Sequence, residues 1–230
     1  MKRLFHFLLV TSLLFLVPAT QTQAKHKPKG GSPCSQGTPY RTCRACGTTS
    51  NTQHQKLNVL KNRDVAVTNP RNKTVQDIRN PNGNFSTSDK VLVTGFVASV
   101  DPGGLQETCN CKRADLRDVH INIVADPSEV GDKTKYVIVE FTPRWEKTFG
   151  FDDSNYDAMR SAVQTQVGGK WVKFQGYMMD DWVHKKEAKN TADPGTPTCT
   201  DSPSDPTPCV WRATTWEVHP VTAYSVVPGP

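Results

Sequence analysis

Alternation of apolar and polar residues with a period of two organises the second half of the chain. Val91 to Val100 is a β-branched run with Gly95 at its middle, and a glycine inside such a run marks a sharp bend. Val119, Ile121 and Ile123 alternate with Asp118, His120 and Asn122, which predicts a strand with one apolar and one polar face. Lys135 to Thr142 repeats the pattern, with Val137, Val139 and Phe141 opposing Tyr136, Ile138 and Glu140, until Pro143 ends it. Between Ser154 and Val167 the period changes. Tyr156, Met159, Val163 and Val167 recur every three or four residues, Ser154 and Asp157 suit a capping box, and Gly168 suits a stop, so this segment predicts a helix. Alternation then resumes in Val172, Phe174, Gly176 and Met178, and a fifth strand runs from Trp211 to Val227 with a kink at Pro220.

Three strands, one helix and two strands predict an all-β chain with one helix: a five-stranded OB-like Greek-key barrel with the helix between strands 3 and 4. A small sandwich is the rival architecture, but it has no ready place for a helix there. The first half is less regular. Lys56 to Val67 predicts one short strand, at Leu57 to Leu60 or Asp64 to Val67, and Asn80 to Asn84 is turn chemistry. Residues 180–210 read as a long loop rich in Pro, Thr and Asp.

Met1 to Ala24 has a basic start, an apolar run from Leu4 to Val17 and a small-residue site at Thr22-Gln23-Ala24, the three parts of a secretory signal. The run falls short of the roughly 20 residues a bilayer requires, so no transmembrane helix is expected in the mature chain. The chain divides into a signal peptide (1–24), a flexible cysteine-containing extension (25–55) and a barrel domain (56–230). Removing Lys2 and Arg3 lowers the formal charge from +6 to +4, a mild excess that does not by itself establish a nucleic-acid partner. All seven cysteines follow the signal, as expected of a secreted or periplasmic protein. Their odd number leaves at least one to stay free, pair between chains or bind metal.

The segments Leu60-Lys-Asn-Arg63, Val93-Thr-Gly-Phe-Val97, Glu107-Thr-Cys-Asn-Cys111, Asp118-Val-His-Ile121, Val139-Glu-Phe-Thr-Pro-Arg144 and Arg212-Ala-Thr-Thr-Trp-Glu-Val-His-Pro-Val221 resemble a group of secreted bacterial OB-fold-like proteins. The similarity spans about Lys56 to Val226. It implies a fold and a compartment and carries no reaction with it. The Cys199 to Cys209 stretch and the cysteine-bearing leader depart from the group.

Three constellations carry candidate chemistry. If the apolar alternates line the barrel, then Asp118, His120, Glu140, Glu217 and His219 share its outer wall. Imidazole and carboxylate together hold a divalent metal, zinc or another, or share a proton. His120, Glu217 and His219, with His184 beyond the fourth strand, are the candidate metal ligands, and Asp118 and Glu140 the candidate catalytic bases. The competing reading is a solvated wall on which the histidines simply bond carboxylates.

The second constellation is the rim of an OB groove. Lys112, Arg113 and Arg117 lie on one flanking loop, and Lys185, Lys186 and Lys189 on the other. Trp182, Tyr136 and Tyr177 would offer stacking surfaces. The expected function is a secreted binding module for an extended anionic ligand, single-stranded nucleic acid or acidic glycan. A metal-dependent hydrolase such as a phosphodiesterase, and an envelope protein-interaction module, are the alternatives, so enzymatic activity stays open.

The third is cysteine chemistry. Cys199 and Cys209 predict a local disulfide. Disulfides compete with zinc for Cys34, Cys43 and Cys46. For Cys109 and Cys111 a soft-metal or redox pair, a long-range disulfide and a strained local one all remain open.

Overall fold

The computed structural model describes residues 31–201 and 205–230. The signal segment 1–24 and the start of the basic leader lie outside the described residues. In chain order the elements are α1 (Thr52–Lys61), β1 (Arg71–Thr74), α2 (Val75–Arg79), β2 (Lys90–Pro102), β3 (Val119–Val124), β4 (Val137–Phe141), α3 (Pro143–Glu146), α4 (Tyr156–Val167), β5 (Trp171–Asp180) and β6 (Trp216–Val226). Strand β2 pairs antiparallel with β3, β3 with β4, β5 with β6, and β5 back with β2. A parallel bridge at Val139 and Val218 joins β4 to β6 and closes the ring. This is the expected OB-like barrel, with α4 between its third and fourth strands. Strand β1 adds outside the ring, parallel to β2.

Val91, Val93 and Val97 of β2 face Val119, Ile121 and Ile123 of β3, Val139 and Phe141 of β4, Phe174 and Met178 of β5, and Val218 of β6 in one fully buried cluster. Met159, Val163 and Val167 of α4 join it, which is why that helix shows the apolar period of a single buried stripe. Each such side chain contributes roughly 1.5–3 kcal/mol by leaving water. Asn155, not Ser154, caps α4, its side chain accepting from the Ala158 amide, and Gly168 ends it as expected.

The first half departs from the sequence reading. Thr52–Lys61 is a helix, capped by the Asn51 side chain, where a strand is expected at Leu57 to Leu60. The alternative strand at Asp64 to Val67 does not form either. The buried face of α1 is Leu57, Asn58 and Lys61, two of them polar, so apolar periodicity cannot reveal it. The fifth barrel strand starts at Trp216 rather than Trp211, and Trp211 to Thr215 belongs to the preceding loop.

One disulfide closes the extension on itself and a second ties it to the barrel. Cys34 pairs with Cys46, and Cys43 pairs with Cys111 of the β2–β3 loop. The Asn62 amide donates to the carbonyls of Ala45 and Cys109. Cys199 pairs with Cys209 as expected. Three disulfides fit folding in an oxidising compartment. Among the described residues no helix is long and apolar enough to cross a membrane.

Glycine at position 176 is required by close approach. A Cβ there would lie 2.5 Å from the Pro220 carbonyl oxygen and 2.5 Å from a Val218 methyl, at the point where the β5–β6 register shifts. Because backbone cannot yield as a flexible side chain does, Gly176→Ala is expected to destabilise the barrel by about 1–3 kcal/mol. An unchanged urea midpoint would contradict this packing.

Candidate polar centre on the barrel wall

The barrel's polar wall is not solvated. Ile138 and Glu140 project outward from β4, yet both are buried, because chain from either side lies across them. From one side comes the β5–β6 loop: the Ala213 amide donates to the Tyr136 carbonyl, and Trp211 stacks over His120 with ring centroids 6.3 Å apart. From the other side come α1 and the β2–β3 loop, bringing Lys61, Glu107 and Cys109. The result is a largely buried box of charge.

Glu140 is its hinge. Strand register sets His120 of β3 directly opposite Glu140, and Val139 beside Val218 brings His219 of β6 close. One Glu140 oxygen lies 3.1 Å from His120 Nε2 and the other 2.9 Å from His219 Nδ1. His219 Nδ1 also bonds Glu217 at 3.1 Å, and Glu217 receives Arg212 at 2.5 Å. Lys61 Nζ reaches Asp181 at 2.7 Å and, more loosely, Glu107 at 3.5 Å.

Several buried atoms here make no aligned hydrogen bond: Asp118 Oδ1 and His219 Nε2, and also His120 Nε2 and Glu140 Oε2, which have a charged neighbour close by. The two short separations between Glu140 and the imidazoles are therefore ion contacts, poorly directed as hydrogen bonds. Ligand atoms of Asp118, Glu140 and His219 lie within 4.8 Å of one another, as do those of Glu107, Cys109 and Asp118. An open pocket of about 330 Å³ reaches the box from outside, bordered by Leu57, Lys61, Glu107, Cys109, Asp181 and His184.

Burial alone would favour neutral imidazoles. The surrounding carboxylates reverse that, Glu140 foremost, and push His120 up to about 9 and His219 up to about 10. Burial likewise works against an ionised Glu140, but His120 and His219 hold it well below the usual carboxylate range. Burial and then Glu140 push Asp118 up to about 7. Asp181 is drawn down to about 2 against its burial, chiefly by Lys61. The Cys109 thiol is pushed well up by burial and by Glu107.

Asp118, His120, Glu140, Glu217 and His219 thus converge as the alternation implies. Of the expected metal ligands, Glu217 is bound to Arg212, and His184 pairs with Glu187 at 2.7 Å and stands 3.8 Å from Asp181 at the pocket edge. The geometric ligand groups near the wall are Asp118, Glu140 and His219, and Glu107, Cys109 and Asp118, so His219 keeps its place among them.

The residues expected to bind a polyanion are dispersed. Lys112, Lys185 and Lys186 are exposed. Arg113 pairs with Asp115, and Arg117 stacks on Tyr156. The Tyr177 ring is covered by Arg63, Tyr136 is buried with its hydroxyl accepting from Gly131, and Trp182 packs edge-on against His54. Neither tyrosine is free to stack on a ligand. Lys61 and Arg212 are the functional-looking side chains the alternation misses. Neither lies on a strand.

No family model, curated protein or solved structure matches the chain.

In chelator-treated protein the raised histidines set the sign of the pH dependence. A folded value above the ordinary one of about 6.5 gives stability that is whole below that value and lost as pH rises through about 9 to 10. Asp118, also raised, adds a loss between the ordinary carboxylate range and about 7. The thermal midpoint should therefore fall steadily from about pH 6 to about pH 10, with His219→Gln flattening the upper part. A midpoint independent of pH over that range would contradict the charged-imidazole arrangement.

Proposed function

We propose that this protein is an exported metal-dependent hydrolase, with a divalent cation held among Asp118, Glu140 and His219. The observation that carries this is the convergence of those three buried side chains, their ligand atoms within 4.8 Å, each with an atom that lacks a hydrogen-bond partner. Asp118 Oδ1 and His219 Nε2, left unpaired, cost roughly 1–3 kcal/mol each, and a cation would relieve both while drawing on Glu140 between them.

A cation so held acidifies bound water and polarises the bond to be cut. His120, bridging Glu140 and the more accessible Glu107, is positioned to carry a proton between the centre and the pocket. Lys61 and Asp181 fix the pocket wall by their mutual ion pair. A phosphodiester is the substrate class that suits a cationic centre reached past an ammonium group. The groove reading, a polyanion lying along the barrel, finds less support, because Asp118 and Glu140 put negative charge on that wall and only scattered lysines at its rim face solvent.

Purified full-length protein should carry a divalent metal by elemental analysis and hydrolyse bis(p-nitrophenyl) phosphate, with loss on chelation and recovery on metal addition. Glu140→Gln and His219→Gln should remove the metal. His120→Gln should retain it and lower kcat about 100-fold or more, the usual scale of a positioned proton carrier. Metal-free protein that gains no turnover from zinc, manganese or magnesium would end this reading.

A further inference from the structure

We infer that the same centre takes two cations, the second held by the Cys109 thiolate together with Glu107 and Asp118, with Asp118 as the carboxylate shared between them. This inference rests on the metal reading above and extends it to a thiolate site, whose chemistry selects zinc or a similarly thiophilic divalent ion.

Cys109 is the cysteine left over once Cys34–Cys46, Cys43–Cys111 and Cys199–Cys209 are formed. A leftover buried cysteine usually behaves as a small apolar residue. The surroundings of this one are not apolar. Its Sγ lies 3.3 Å from Glu107 Oε2 and 3.9 Å from Asp118 Oδ2. Bonds of ~2.0–2.3 Å from zinc to oxygen and sulfur in a tetrahedral site put neighbouring ligand atoms under ~4 Å apart, so these separations are already those of a coordinating set.

Backbone and side-chain amides fix both carboxylates, as outer partners fix metal ligands; the Glu107 oxygen nearest the sulfur also takes the long contact of Lys61, and Asn110 bonds the Asp118 oxygen nearest the sulfur. The Gly104 amide donates to Glu107 Oε1 at 2.7 Å and leaves Oε2 toward the sulfur. The Asn110 amide donates to Asp118 Oδ2 at 3.1 Å. Asp118 is 1% exposed, and its Oδ1 has no hydrogen-bond partner. That oxygen is an unmet acceptor in the side chain common to both ligand groups, which is what a bridging carboxylate requires. Entry is open, because Glu107 and Cys109 both line the 330 Å³ pocket. Lys61 and His120 stand beside the site: the closer partner of Lys61 is Asp181, its contact with Glu107 is the long one at 3.5 Å, and His120 Nε2 lies 3.8 Å from Glu107.

Paired divalent ions with a shared carboxylate clamp both the attacking and leaving oxygens of a displacement at phosphorus.

The test is titration of chelator-treated full-length protein with zinc and separately with cobalt, read by elemental analysis after gel filtration and by absorption. The expected result is two zinc ions per chain and, with cobalt, a near-ultraviolet thiolate charge-transfer band. Cys109→Ser and, with the thiol intact, Glu107→Gln should each bind one zinc, and Asp118→Asn should weaken both sites. Circular dichroism identifies any variant that fails to fold, and Glu107→Gln alters a pocket-wall residue without touching the core. One zinc per chain and no charge-transfer band in the unaltered protein would overturn the second site while leaving the Asp118, Glu140 and His219 centre standing. Two zinc ions that persist in both Cys109→Ser and Glu107→Gln would overturn it as well. Absence of any bound cation would remove both.

Discussion

The contact of one carboxylate, Glu140, with two imidazoles is the constraint around which the outer barrel is arranged. Glu140 is 1% exposed and His219 is fully buried, and their separation of 2.9 Å is possible only because β4 and β6 run side by side where the barrel closes. A carboxylate in such surroundings stays ionised only while opposite charge stays close. The strands supply that charge from His120 and His219, and Glu140 is foremost among the carboxylates that hold the protons of both. Barrel closure and the electrostatics of the wall are thus one arrangement, since a slip of one residue in β4 would turn Glu140 into the apolar core.

Burying that wall takes chain that the barrel does not contain. The loop between β5 and β6 brings Trp211 over His120 and Arg212 onto Glu217, while α1 brings Lys61 to Asp181. The disulfide from Cys43 to Cys111 fixes the extension to the very loop that carries Glu107 and Cys109. Covalent links in a segment poor in apolar side chains restrict the unfolded chain where core burial cannot. The extension therefore serves the wall, and the pocket lies at the seam between the two coverings.

The barrel was legible in the sequence because its strands alternate cleanly, and alternation reports burial on one face directly. The pairing of Asp118 with His120 and of Glu217 with His219 followed from the same period, and so did their common side of the sheet. What stayed hidden was the covering. Helix α1 buries Asn58 and Lys61, side chains that a periodicity of apolar residues does not count. Arg212 looks like the start of a strand, yet it is 1% exposed and clamps Glu217 from a loop. A wall whose outward residues are polar reads as solvated, and nothing local to β3 or β4 announces that distant segments will fold over it.

Stability alone does not account for such a wall. Replacing a buried ion pair with apolar side chains of similar volume is often neutral or stabilising by about 1–4 kcal/mol, so a chain selected only for a firm barrel would not keep Glu140, Glu217, Asp118 and two histidines beneath its coverings. Nor is the network closed on itself, since Asp118 Oδ1 and His219 Nε2 are buried without hydrogen-bond partners. Structural ion pairs satisfy one another, as Arg212 and Glu217 do. Groups left partly unsatisfied, strongly shifted in their proton affinity and next to an open pocket have the properties of groups that await a ligand. A cation held there, as proposed, would meet the unpaired oxygen and nitrogen together, and the cost of burying the wall would become the selectivity of the site it builds.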